Sequence, residues 1–409
     1  MLGCPLKGQP ILIKCQVMKL QETITMVFER YIKNYIKEFN DLDREVWNYE
    51  DGCILIGAEK LFHATGESFY YDCIRNYVDR YVDEDGNIKG YEREEYNIDR
   101  IPSGLVLFLL YEKSGEIKYR KAIEALRLQL EHHPRTKSGS FWHKKIYPNQ
   151  IWLDGLYMGM PYYLTYEKMF GTRAAYDDVM MQFNNARNTL FDDGKKLYYH
   201  GWDEAKEIFW ADKETGLSKN FWSRALGWYL MALIDCYEIL PEEESKHRNR
   251  LGELLKEAVD GLLLYQDKES GLFYQLTALK DVKGNYLETS SSIMFAYGIL
   301  KGVRLGVLEE AKYRGIGEEI LIGVETRMFQ QYEGKIQLTG ICKGAGLGPA
   351  ENLFRDGSVE YYLKEEVVAD EQKGVGVMMM AFGEWLQLLK NKPVEPTNYP
   401  RVKIWNGKY

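Results

Sequence analysis

The chain has 409 residues, 45% hydrophobic and 28% charged, with a formal net charge of −8. It holds enough apolar material for a large core and no basic excess for neutralising phosphates, which argues against nucleic acid or an anionic membrane surface as partner. The six cysteines, at positions 4, 15, 53, 73, 236 and 342, form neither a C-x-x-C pair nor a zinc-binding spacing. They read as free thiols of a reducing compartment, the cytoplasm.

The N-terminus, "MLGCPLKGQPILIKCQVMKL", lacks the continuous apolar run and small-residue cleavage site of a signal peptide. A second Met at position 18 reads as a start, so residues 1–20 are expected to be a disordered extension. From there helical periodicity dominates, with apolar residues recurring at i, i+3, i+4 and i+7. The segments are 22–39, 52–66, 68–82, 101–114, 116–132, 152–170, 173–190, 222–240, 247–265, 289–305, 309–330 and 374–391. Strand signals are confined to "KKLYYHGWD" (195–203), "GLFYQL" (271–276) and "EEVVAD" (365–370). No run is long enough to span a membrane. No Pro- or Ser-rich linker divides the chain, so residues 21–395 are expected to form one all-α domain, followed by a tail over 396–409.

The segments alternate in character. "IPSGLVLFLLYEKSG", "GLYMGMPYYLTYEKMFG", "ALGWYLMALIDCYEIL" and "GVGVMMMAFGEWLQLL" are apolar most of the way round, as buried helices are. Between them, "KYRKAIEALRLQLEHH" and "AAYDDVMMQFNNARNTL" carry a charged face. Strict alternation with short links such as "GES" (66–68) predicts six antiparallel hairpins closed into a two-layer, twelve-helix α/α barrel.

The unusual residues open the inner helices: "WNYEDG" (47–52), "YNIDRIPSG" (96–104), "IWLDG" (151–155), "KNFWSRALGW" (219–228), "ETSSS" (288–292) and "DEQKGVG" (370–376). In a barrel of this kind all six inner helices start at one end, so these residues converge on one mouth. The positive helix ends converge there too, which suits an anionic ligand. With 31 Tyr and 9 Trp in the chain, the mouth has aromatic faces and polar tips for sugar rings.

"IWLDG" and "FWSRALGWYLMAL", supported by "WNYEDG", "YYHGWD", "SSSIMFAYGI", "GICKGAGLG" (340–348) and "KGVG", resemble the unsaturated glucuronyl and rhamnogalacturonyl hydrolases, more closely the latter, glycoside hydrolase family 105. These stretches run from about residue 45 to 380, most of the chain. The resemblance implies an enzyme on a six-hairpin barrel acting on short oligosaccharides left by polysaccharide lyases, including those of pectin breakdown. Their non-reducing end is a 4,5-unsaturated uronic acid, here expected to be galacturonyl linked to rhamnose. An acid protonates C4 of the enol ether, water adds at C5, and the hemiketal opens with loss of the glycosidic bond, a reaction for which the resemblance implies no metal or other cofactor.

Asp154 takes the family's acid/base position. Read alone it is a first-turn aspartate whose pKa a helix start lowers, whereas a general acid needs it raised. Burial against Trp152, Trp222 or Trp228, or a second carboxylate, supplies that, and Asp99 is the natural partner. Read alone, Asp99 is an N-cap.

Arg224 is expected to recognise the uronate carboxylate or to pair with Asp154. Trp222 and Trp228 are candidates for stacking on sugar rings, His200 matches a substrate-contacting histidine, and Tyr49 is placed to hydrogen-bond substrate. Lys145 is the candidate for reaching the carboxylate, with Lys144 adjacent and the choice open. "GICKGAGLG" lacks the Lys-Ser/Thr of a phosphate loop and reads as a mobile loop over the mouth.

Four other functions compete. An unsaturated glucuronyl hydrolase would act on glycosaminoglycan-type disaccharides. A conventional inverting glycosidase would use Asp99 and Asp154 about 6.5–9.5 Å apart. An epimerase would need histidine bases, and the chain has six His. A carbohydrate-binding domain would not need Asp154.

Overall fold

The computed structural model describes residues 9–40 and 46–391. Helix α1 spans Gln9–Asn40, α2 Tyr49–Thr65, α3 Ser68–Tyr81, α4 Leu105–Ser114, α5 Ile117–His132, α6 Gly155–Phe170 and α7 Tyr176–Leu190. Then come α8 Ser223–Ile239, α9 Ser245–Leu262, α10 Thr289–Arg304, α11 Glu310–Met328, α12 Val359–Lys364 and α13 Gln372–Asn391. All twelve expected helices are present, and the short α12 is an addition. Of the expected extension, residues 1–8 lie outside the described residues, while 9–20 fall within α1, where no Gly or Pro after Pro10 interrupts a helix. The tail at 396–409 also lies outside the described residues.

The architecture is an α/α barrel. The inner ring is α2, α4, α6, α8, α10 and α13, each packed on the next, with α13 returning to α2. Their sequences explain the placement. α8 is buried continuously from Ser223 to Cys236, and α10 from Thr289 to Val303. An outer helix buries one stripe only: α5 hides Tyr119, Ala122, Ile123, Leu126 and Leu130 and leaves its charged face to solvent. The hairpin reversals are tight because Gly66 (φ 77°) and Gly115 (φ 71°) take the left-handed C-cap conformation after α2 and α4.

At the end away from the mouth, the last turns of the inner helices are joined by buried charge. Lys301 Nζ lies 2.6 Å from Asp235 and 2.7 Å from Glu238, and Arg304 lies 2.6 Å from Glu384. These pairs tie α8, α10 and α13 to one another.

Strand content is slight and lies in the loops at the mouth. "KKLYYHGWD" contributes Leu197–Tyr198 and Gly201–Asp203, the latter paired antiparallel with Gln150–Trp152. Val367–Val368 of "EEVVAD" pairs with Ile341–Cys342. A hairpin, Phe329–Tyr332 with Lys335–Leu338, was not expected. "GLFYQL" forms no strand. Its backbone serves neighbouring helix starts instead: Gln275 O accepts from Ser223 N at 3.1 Å and Phe273 O from Glu288 N at 2.8 Å.

Closure between α13 and α2 depends on glycine. A Cβ at Gly376 would lie 2.4 Å from the Cys53 carbonyl carbon, and one at Gly57 would lie 2.8 Å from the Gly376 carbonyl oxygen. Backbone cannot swing aside as a flexible side chain does. Gly376→Ala, which in an open helix stabilises by about 1 kcal/mol, is therefore expected to destabilise by about 3 kcal/mol. Thermal or urea unfolding reads this directly, and a variant at or above the parent's stability would contradict the close crossing.

Candidate active site

Six helix starts face the mouth and satisfy their first N–H groups differently. Asn48 caps α2, its Oδ1 accepting from Asp51 N at 2.8 Å. Glu288 caps α10, accepting from Ser290 N at 3.3 Å and Ser291 N at 2.7 Å. Asp154 stands at the same position before α6 and makes no side-chain cap bond. Its Oδ1 is buried without a hydrogen-bond partner.

That difference decides its chemistry. The Asp154 side chain is 12% exposed. Burial pushes its carboxyl up to about 6, the His143 charge pulls it down, and the neighbouring Asp99 charge pushes it up again. The helix start would stabilise the anion through a cap bond, but none forms, so burial prevails.

Asp99 has the opposite fate. It lies in a 3-10 turn, Ile98–Arg100, where Asn97 Oδ1 accepts its backbone N–H at 3.1 Å. Burial raises its carboxyl, but Lys144 Nζ at 2.7 Å and His143 Nε2 at 3.3 Å overcome this and hold it below the usual carboxylate range. The site thus holds one carboxyl poised to be protonated near neutral pH and one kept ionised beside it.

The lysine question resolves on backbone register. Asn97 pairs with Lys144 as a single antiparallel bridge, and the chain turns from Lys145 onward, with Tyr147 N donating to Lys144 O at 2.9 Å. Lys144 reaches Asp99. Lys145, one residue on, is exposed, lies 5.7 Å over the Tyr96 ring and approaches the Glu94 carbonyl at 3.5 Å. The turn that begins at Lys145 separates the two lysines: Lys144 faces Asp99 and Lys145 faces solvent.

His200 is fully buried, with Nδ1 2.6 Å from the Tyr362 hydroxyl and Nε2 3.7 Å from Asp154 Oδ1. Burial, with the His143 charge adding, lowers its pKa to about 3, so the ring is neutral at working pH. Its Nε2 has no hydrogen-bond partner in the protein. Trp222 packs 4.8 Å from this ring and donates its indole N–H to Gln275 at 3.2 Å.

Arg224 is paired with Glu288, not with Asp154. Nη2 lies 3.3 Å from Glu288 Oε1 and also donates to the Cys342 carbonyl, and Nε donates to Ser290 Oγ at 2.8 Å. Nη1 is buried with no partner. The guanidinium lies 5.5 Å over the Trp222 ring. The serines of "ETSSS" accordingly serve Glu288 and Arg224. Trp228 is buried, stacked 4.6 Å from Tyr157, with Tyr49 edge-on at 6.5 Å. It therefore packs in the core, while Tyr49 is half-buried at the first turn of α2.

Of the sequence candidates, the structure brings Asp154, Asp99, His200, Trp222, Arg224 and Tyr49 to the mouth and leaves Lys145 outside it. Sequence reasoning passed over His143, Tyr362 and Glu288, and left Lys144 as the open alternative to Lys145. His143 is nearly fully buried and lies flat on Trp152, 4.2 Å between ring centres and 13° between planes. Among the described residues, no group of three or more His, Cys, Asp or Glu is arranged to hold a metal ion.

Three loops are fastened over this site. Tyr147, Trp152, Trp210, Ala211 and Leu347 form a small apolar cluster separate from the main core. The "GICKGAGLG" stretch, expected to be mobile, is tied down within it: Gly346 N–H donates to the Tyr361 hydroxyl at 2.9 Å, and the Trp210 indole N–H donates to Gly348 O at 3.1 Å. A Cβ at Gly346 would meet the Trp152 ring at 3.2 Å.

The model of Glycosyl Hydrolase Family 88 matches residues 23–389. A solved Clostridium acetobutylicum glycoside hydrolase from family 105 is 43% identical, with a TM-score of 0.84, covering 88% of this chain and 99% of that one. The unsaturated rhamnogalacturonyl hydrolase YesR of Bacillus subtilis is 26% identical over 294 residues, 70% of this chain and 78% of YesR. The unsaturated glucuronyl hydrolase of Bacillus sp. GL1 shares the fold at 14% identity, with a TM-score of 0.63 over 91% of this chain and 97% of that one.

A carboxyl raised from 3.8 to about 6 costs stability once ionised. The native state keeps the proton that the unfolded chain releases. Stability is therefore full below about pH 4 and falls as pH rises through 6, by about 3 kcal/mol. Asp154→Asn removes this cost. The variant should match the parent's Tm near pH 4 and exceed it at pH 8. Equal Tm values at both pH values would show that Asp154 is not held protonated.

Proposed function

We propose, for a chain that belongs to the family 88/105 glycoside hydrolases, that it removes a 4,5-unsaturated galacturonic acid from the non-reducing end of lyase-generated rhamnogalacturonan oligosaccharides. The glycoside hydrolase activity is that of its family. The substrate is our reading, supported by the family 105 relative and by YesR.

One observation carries the mechanism: Asp154, raised to about 6, stands next to an ionised Asp99. The Asp154 carboxyl donates its proton to C4 of the enol ether, and positive charge develops at C5 and the ring oxygen. The Asp99 carboxylate offsets that charge. Water then adds at C5 and yields a proton to the Asp154 carboxylate, which restores the acid. The hemiketal opens and the C1–oxygen bond to the next sugar breaks. The neutral His200 Nε2, facing Asp154, is suited to orient the water.

Arg224 Nη1, buried and unpartnered, is the group we assign to the uronate carboxylate. Its other nitrogens are spent on Glu288 and Ser290, so one donor is presented in a fixed direction. Tyr49 and Trp222 line the same space. Lys144 acts through Asp99, and we assign no substrate contact to Lys145.

We place the reaction in the cytoplasm. Cys53, Cys73, Cys236 and Cys342 are buried free thiols, as a reducing compartment favours, and no helix among the described residues is long and apolar enough to cross a membrane. The partner is a small oligosaccharide, and the net charge of −8 speaks against nucleic acid.

Lyase-generated disaccharides are the test, followed by loss of the enol-ether ultraviolet absorbance. The unsaturated galacturonyl–rhamnose disaccharide should be consumed fastest. Preferential consumption of a glycosaminoglycan disaccharide would move the assignment to glucuronyl substrates, and cleavage of saturated glycosides alone would refute the hydration mechanism. Activity should fall as pH rises through about 6. Asp154→Asn should lower kcat about 1,000-fold or more with substrate still bound.

A further inference from the structure

Asp99 and Asp154 belong to different elements, a 3-10 turn before α4 and the start of α6, and no hydrogen bond between them is present. Between them in sequence lies the segment 141–145, with His143 at its centre. Its backbone is bonded on both sides: His143 N–H donates to Gln150 O at 2.9 Å, and His143 O accepts from Ile98 N at 3.2 Å. Its imidazole is fixed by the stack on Trp152, with Tyr147 on the same indole at 4.7 Å. Nε2 contacts Asp99. Nδ1 is buried without a protein partner and lies against Gly155, where a Cβ would be 3.1 Å away, in a narrow cavity lined by Ile98, Phe141, Gly155, Met160 and Gln182. A larger residue at 155 would displace the ring. The imidazole is thus held against Asp99, with few rotamers open to it.

We propose that His143 is a positioning residue for the reaction: clamped on Trp152, its imidazole fixes the Asp99 carboxylate in register with Asp154. It acts through Asp99 and does not touch substrate. The inference rests on the reading of Asp154 as proton donor given above.

The role has an electrostatic side. Around Asp154 the charged and titratable groups are Asp99 from the 3-10 turn, His143 and Lys144 from the 141–145 segment, His200 from the 201–203 ladder loop and Tyr362 from α12. His143 itself also faces Tyr147 and His133. Of these, His143 pulls the Asp154 pKa down most strongly, and its removal leaves the Asp154 carboxyl higher.

Two variants separate the contact with Asp99 from the ring stack. Gln keeps a nitrogen donor for Asp99 and loses the imidazole, whereas Phe keeps the stack and loses the donor. His143→Phe should lose about 100-fold in kcat with KM little changed, as misplacing a reacting group does. His143→Gln should recover most of that loss. In both, the alkaline limb of the kcat/KM profile should move to higher pH. A residue that merely supports the loop would lower Tm and leave the limb in place, with no rescue by Gln. An unshifted limb in a folded His143→Gln overturns the proposal, as does wild-type kcat in His143→Phe.

Substrate is not needed for a second reading. The pH midpoint of the Tm gain from Asp154→Asn should rise in the His143→Gln background, and an unmoved midpoint also overturns the proposal. Failure of the wild-type protein on every unsaturated uronide would instead refute the substrate assignment, and the stability midpoint would still decide the role of His143.

Discussion

A ring of six helices closes only if its last member can lie against its first, and here that contact is backbone on backbone. Gly57 and Gly376 bring α2 and α13 to a distance no Cβ permits. Closure forces every inner helix to run the same way, and so gathers all six starts at one end. Residues as far apart in sequence as Tyr49, Asp99, Asp154, His200 and Arg224 share a site for that reason. No local feature of any one helix would bring them together.

Within the mouth, two carboxyls at equivalent helix starts have been given opposite work. Glu288 accepts the first N–H groups of α10 and neutralises Arg224, so its charge is fully used. Asp154 forms no such bond, and burial outweighs the pull of His143 in the other direction. A helix start lowers a carboxyl's pKa chiefly through the hydrogen bonds it donates, and withholding them leaves a usable acid. The site therefore carries a standing cost in stability, of the kind common where function requires a group in the wrong ionisation state for its surroundings.

The twelve long helices were legible because each buries a continuous face, and a face leaves a period in the sequence. Asp154, Asp99 and Arg224 stood out because polar residues at the start of apolar helices are conspicuous, and His200 through the "YYHGWD" motif. What escaped notice lies where periodicity ends. His143 sits beside a single bridge, Asn97 to Lys144, made with a residue far off in sequence, and that bridge also decides the choice between Lys144 and Lys145. "GLFYQL" has the composition of a strand, yet its backbone groups are claimed by Ser223 and Glu288, partners that no local window contains. The pairing of Arg224 with Glu288 is hidden for the same reason. Tyr362 lies on α12, six residues long, too short for a period to show.

The loops at the mouth are held by Tyr147, Trp152, Trp210, Ala211 and Leu347, which pack on one another and not into the barrel. Separating five side chains exposes far less apolar surface than unfolding an inner helix. The cover therefore has its own opening equilibrium, at a few kcal/mol, while the scaffold below stays intact. Amide hydrogens in the three loops exchange with solvent on that shorter scale. Trp152 belongs to the cover and, two residues before Asp154 and flat against His143, also to the site. Each opening frees one wall of the pocket, so the departure of product and the loosening of the acid's surroundings are a single event.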